Sequence, residues 1–268
     1  MVIGGKPADG GYFQIKTREE YEDVISDSVA AKYVVPCVGA QELINNKERW
    51  SLWLADAPRS DIAKSPILRE RVQGVRDFRL ASKKASTRRL ADEPWRYAEV
   101  RKADGPFLCV PRHFSGGRKY FTVKRCESGE IATDACFFAD DPDGLLFGII
   151  SSGVFMAWQK AVGGELKSDC RFSNTIVWNN FPLPKLTDEG RRAIIDAGQA
   201  VLSARGLYHG ASLADLYKPA DEFLYPELFE AHGKLDEAIE SAYGVDFNGD
   251  ENKIVSHLFN LYAEKVGE

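Results

Sequence analysis

An α+β fold is predicted, with a sheet-containing domain over residues 1–185 and a mainly helical domain over 186–268. Three observations predict it. Between Phe107 and Phe138 short β-prone runs (FLCVP, KYFTV, TDACFF) alternate with Ser/Gly clusters, as an antiparallel sheet with exposed loops requires. After Thr187 the apolar spacing becomes helical to the end of the chain. Composition shifts at the same place, with 7 Lys/Arg against 16 Asp/Glu from Asp188 onward.

Taken in order, Thr17-Arg18-Glu19-Glu20 fits a capping box and opens a short helix near 18–27. Trp50 to Ala57 reads as a strand that stops at Pro58. Pro66 can open a helix in which Ile67, Leu68, Val72, Val75 and Phe78 form the apolar face. The opposite face would carry Arg69, Arg76 and Lys83, with Arg79 at its edge. Gly144 to Val162 is mostly helix-compatible, and Arg171 to Trp178 reads as a strand that ends where Pro182 and Pro184 enter. Three helices follow, around Ala193–Leu202, Leu228–Tyr243 and Ile254–Tyr262.

Many function classes are excluded by what the sequence lacks. The longest apolar run, Leu145 to Trp158, is broken by Gly and Ser and is shorter than the roughly 20 residues of a membrane span. The start has no basic segment followed by an apolar stretch, so no secretory signal is expected. Five cysteines without a CxxC pair, and four scattered histidines, suggest neither a zinc site nor a disulfide framework. Reduced thiols in a cytoplasmic protein are expected. There is no GxGxxG after a strand, no GxxxxGK[ST], no GxSxG, no HExxH and no Asn-Pro-Pro-aromatic tetrapeptide. Neither a catalytic residue nor a metal site is expected.

Charge carries more information. From Arg59 to Arg125 there are 18 Lys/Arg against 7 Asp/Glu, a net of +11 in a chain whose total is −5. Such an asymmetry attracts a polyanion to one face, so nucleic acid is the first partner to consider. Arg76, Arg79, Lys83, Lys84, Arg88 and Arg89, with Ser86 and Thr87 among them, offer the donors that grip phosphate oxygens. A solvated helix face explains the same letters. A second cluster, Val110 to Tyr120, places Arg112, His113, Ser115, Arg118 and Lys119 in a Gly-rich loop between two predicted strands. Arginine can contact guanine in the major groove, and small neighbours let the backbone approach base edges. An exposed β-turn is the plain alternative.

Longer stretches carry a resemblance. Asp9-Gly10-Gly11, the segment at 30–57, VPRHFSGGRKYF, GGELKSDCRFSNTIVWNNFPLP at 163–184, SLADLY and the AHGKLDEAIESAYG helix together resemble the MmeI-like type IIL restriction–modification enzymes. In these, one polypeptide joins an endonuclease, an adenine-N6 DNA methyltransferase and a target recognition domain. The resemblance implies a double-stranded DNA target recognition domain followed by a helical C-terminal region. It also implies that the S-adenosylmethionine site lies upstream, in a methyltransferase domain of the same polypeptide, and that this chain catalyses nothing by itself. DNA held by it would present an adenine for flipping into that domain. In the family, the loop matching VPRHFSGGRKYF reads bases through an acidic and a basic residue two apart. Here Gly116 stands where the acidic reader would align and Arg118 remains as the basic one, which favours guanine. The rival expectation is a protein-interaction module, as in a PglX-type phage-defence protein.

Overall fold

Strands β1 (Val2–Ile3) and β2 (Gln14–Ile15) precede the predicted capped helix, which forms as α1 (Arg18–Ser26). Thr17 Oγ1 accepts the Glu20 amide at 3.2 Å and so caps the helix start, while the Glu20 carboxylate accepts the amide of Lys16, one residue before the cap, at 2.9 Å. Next come β3 (Val34–Val38), α2 (Ala40–Asn45), β4 (Trp50–Leu52), α3 (Arg59–Lys64), α4 (Pro66–Leu80) and α5 (Ala85–Arg89). The strand expected over Trp50–Ala57 pairs over three residues. Trp53, Leu54 and Ala57 are buried without continuing the ladder.

The middle of the chain contains β5 (Phe107–Pro111), β6 (His113–Ser115), β7 (Lys124–Cys126), β8 (Ile131–Ala132) and β9 (Cys136–Asp140), then α6 (Leu145–Ile150) and α7 (Gly153–Val162), then β10 (Gly164–Leu166) and β11 (Asp169–Arg171). The helical remainder is α8 (Asp188–Leu207), α9 (Leu213–Leu216), α10 (Pro226–Tyr243) and α11 (Glu251–Gly267). This computed structural model describes residues 1–166 and 169–267.

The strands form three sheets, in the orders β1-β9-β5-β7, β2-β4-β3-β8 and β10-β11-β6. All pairings are antiparallel except β3 with β8. Three expectations are corrected. The KYFTV run is irregular, because its side chains divide between two helices. The Tyr120 ring stacks on His232 of α10 with centroids 3.9 Å apart, while Phe121 stacks on Phe155 of α7 at 5.8 Å. The helix over Gly144–Val162 is two helices, since Ser152 turns out of the first and caps the second by accepting the Phe155 amide. The strand over Arg171–Trp178 ends at Arg171, and Asn174–Trp178 forms a π-turn. Ser173 Oγ accepts the Ile176 amide there, so a local side-chain bond overrides the β-prone letters.

The largest core joins both sides of residue 185. It contains Leu108, Phe121, Phe155, Trp158 and Phe172 together with Ile194, Val201, Leu228, Leu235 and Leu258. Each such fully buried side chain contributes about 1.5–3 kcal/mol. Helix α6 reaches α8 through glycines: a Cβ on Gly148 would lie 2.8 Å from Ile194 Cγ2, and one on Gly198 would lie 3.2 Å from Gly148 Cα. A second core, with Phe13, Leu52, Leu68, Val75 and Tyr97, holds α4. Among the described residues no helix is long and apolar enough to cross a membrane.

A polar clamp also crosses this junction. Tyr120 donates to Asp236 Oδ2 at 2.9 Å and the Gly153 amide donates to Oδ1 at 2.7 Å. Burial, partly opposed by these two bonds, raises the Asp236 pKa from 3.8 to about 6. Between about pH 4 and pH 6 the folded state therefore binds more protons here than the unfolded one, so this group's contribution falls as pH rises through that window. Asp236→Asn removes the slope. Urea midpoints should shift in the variant's favour relative to wild type between pH 5 and pH 7, and a constant difference would exclude this role.

Candidate nucleic-acid interface

Register on the three-stranded sheet decides which side chains face outward. His113 pairs with Arg171, Phe114 with Cys170 and Ser115 with Asp169. Because side chains alternate along a strand, His113, Ser115, Asp169 and Arg171 share one face, and Phe114 and Cys170 point into the core. His113, Asp169 and Arg171 are exposed and Ser115 is half-buried. No described side chain pairs with the Asp169 carboxylate or the Arg171 guanidinium. The outcome is a small solvent-facing platform with donors and acceptors two residues apart.

The loop residues expected to read bases divide. His113 and Ser115 lie on the platform. Arg112 is half-buried at its edge, donating from Nη1 to the Asp134 carbonyl at 3.1 Å. Lys119 is exposed, its ammonium 5.4 Å from the Tyr120 ring centroid. Arg118 is a correction: it is 8 % exposed, and its guanidinium donates to Thr122 Oγ1 at 3.4 Å. Burial lowers its pKa, partly offset by nearby Tyr217 in the helical domain. Gly117 lies against the same region, where a Cβ would sit 3.4 Å from Pro219 Cγ. Packed in this way, Arg118 cannot reach a base edge, and the expectation that it favours guanine is withdrawn.

Sequence reasoning did not single out Asp169 and Arg171, which share the platform. The signal was present, an acidic and a basic residue two apart in a short strand, but the register with β6 that turns both toward His113 and Ser115 is a tertiary fact.

The cationic stretch is also thinned by folding. Arg71 pairs with Glu20 at 2.8 Å, Arg101 with Glu99 at 2.8 Å, Lys124 with Glu130 at 2.9 Å and Arg125 with Asp141 at 3.7 Å. Arg79, expected among the phosphate-binding residues, is 1 % exposed and is corrected. Its five N–H groups donate to the carbonyls of Ala8 (3.0 Å), Leu90 (2.8 Å), Glu93 (3.1 Å), Pro7 (2.9 Å) and Arg96 (2.6 Å). Phe78, expected in the core, takes the outward position and packs over Gly10, where φ is +66° and a Cβ would lie 2.7 Å from the Phe78 ring.

Five of the cations left unpaired lie along one arm. Arg76 on α4, Lys83 and Lys84 in the connection, and Ser86, Arg88 and Arg89 on α5 are exposed, with Thr87 half-buried. Arg88 Nη1 donates to the carbonyls of Ser82 (2.8 Å) and Lys83 (2.9 Å), which fixes the turn. The arm is supported by the core around Val75 and the platform by the core around Phe121. Among the described residues no three His, Cys, Asp or Glu side chains are grouped to hold a metal ion.

A solvent-facing platform that shares its core with the helical domain, and an exposed cationic arm held by a second core, make up this target recognition module. The chain belongs to the MmeI family: residues 1–185 match the MmeI target recognition domain and residues 186–268 the MmeI C-terminal domain. It is 32% identical over 266 residues to DNA methyltransferase A of Bacillus subtilis (strain 168), a match covering 98% of this chain and 30% of that protein. It also superposes on the type IIL restriction–modification enzyme MmeI, whose structure was solved in complex with DNA. That match has a TM-score of 0.93 and 32% identity, covering 100% of this chain and 35% of the enzyme. The chain thus spans about a third of each relative.

Proposed function

We propose that this chain recognises a short sequence in duplex DNA and presents it to an adenine-N6 methyltransferase domain of the same polypeptide, making and breaking no bond itself. The observation that carries this reading is the outward platform of His113, Ser115, Asp169 and Arg171, unpaired by any described side chain, in a chain of the MmeI family. Arg171 has the donors for guanine O6 and N7, and Asp169 the acceptors for the cytosine amino group. Arg112 and Lys119 flank them, and Arg76, Lys83, Lys84, Ser86, Thr87, Arg88 and Arg89 hold the phosphates.

The module contributes no tetrapeptide for the target amine, so S-adenosylmethionine and any endonuclease belong to other domains. The buried thiols of Cys37, Cys109, Cys126 and Cys136 suit a reducing cytoplasm. The helical tail, rich in carboxylates, serves as packing support for the platform.

Selection of duplexes from a randomised pool tests this reading. The chain should enrich one short consensus, and binding should weaken with salt. Replacing Lys83, Lys84, Arg88 and Arg89 together with alanine should leave the consensus intact and flatten the log–log salt slope by roughly 3 to 4. Enrichment of no consensus would overturn the proposal and favour a protein-docking role.

A further inference from the structure

The π-turn beside the platform is held with unusual care. A π-turn is less favourable than a continued α-helix and persists where neighbours fix it. Here Asn180 Nδ2 donates to the carbonyls of Thr175 (3.0 Å) and Ile176 (2.8 Å), and the buried Trp158 indole donates to that of Val177 at 2.9 Å. Ser173 Oγ lies 3.2 Å from Thr175 Oγ1. Three consecutive carbonyls are thus captured by side chains, two of them by a residue outside the turn's own span and one by another helix.

This rigid turn points Val177 into the core and leaves Thr175 exposed and Ile176 55 % exposed. Its position is equally defined. The Phe172 amide donates to the Arg112 carbonyl at 3.0 Å, so the turn starts at the end of the sheet where Arg171, His113 and Arg112 meet. An exposed aliphatic side chain on a turn that begins two residues after the sheet end carrying Arg171, His113 and Arg112 suits a polyanion that also has apolar edges. A DNA groove has both, whereas an apolar protein surface would have to desolvate the arginines.

Resting on the functional reading above, we infer that Ile176, with the Thr175 hydroxyl beside it, is a further DNA contact that packs on a thymine methyl or a deoxyribose next to the base pair faced by Arg171.

The test uses the chain labelled with ¹³C at isoleucine δ1 methyls and a duplex selected from a randomised pool. Ile176→Val assigns the Ile176 signal, which should shift on titration with duplex. Ile176→Ala should weaken binding about threefold to tenfold at unchanged melting temperature, since the side chain is exposed. If replacing one thymine by uracil weakens wild type but not Ile176→Ala, the contact is the methyl; if no uracil duplex distinguishes them, it is the sugar. Binding that leaves the Ile176 methyl unmoved, or an Ile176→Ala affinity equal to wild type, overturns this inference alone. Absence of any duplex binding by the unsubstituted chain overturns it together with the functional reading.

Discussion

Arg79→Ala should lower the unfolding free energy by about 3–5 kcal/mol, the range seen when a buried charged group is removed from well-formed partners. The guanidinium is the common anchor of three separate segments: residues 7–8 near the start, Leu90 after α5, and residues 93–96. Removing it takes a donor from five carbonyl oxygens, leaves those of Ala8 and Arg96 without one among the described residues, and opens a cavity under α4. Arg79→Lys should recover part of the loss, because an ammonium has three donors and no planar fork to span five acceptors. The residue also sets where the α4–α5 arm lies, so the alanine variant should lose DNA affinity through disorder of that arm. Denaturant titrations measure the effect directly. A change within about 0.5 kcal/mol would mean that the five bonds do not hold the segments together.

Arg171→Ala should cost about 1–3 kcal/mol of discrimination, roughly fivefold to 150-fold, at a single base pair. Loss at one position is the signature of a base reader; a phosphate contact would weaken all duplexes alike and reduce the salt slope by about one. The double exchange Asp169→Arg with Arg171→Asp has a sharper outcome. Donor and acceptor trade places on the same face, so the preference should invert between G·C and C·G at that pair while the other positions keep theirs. Binding to a set of duplexes in which each base pair is permuted separates these outcomes. Uniform weakening across the set would remove Arg171 from the readers.

Some of this was legible in the order of residues. The Thr17 cap, the Pro66 helix start and the apolar spacing of the three long C-terminal helices depend on neighbours within a few positions. These local predictions matched the elements that formed. The π-turn at Asn174–Trp178 did not, since its hydrogen bonds come partly from Trp158, and nothing local distinguishes it from a strand.

The same division holds for function. Charge density and the long resemblance pointed to DNA recognition before any coordinates. They could not say which cations remain free. Arg79 and Arg118 read like their exposed neighbours, yet five backbone carbonyls enclose one and the helical domain covers the other. Asp169 and Arg171, conversely, become a platform only through their pairing with β6. Sequence alone thus determined several helix starts, the charge asymmetry and the family, because these follow from local spacing, summed charge and long matching stretches. Tertiary structure decided which side chains meet solvent, because burial and strand register depend on contacts between residues far apart in the chain.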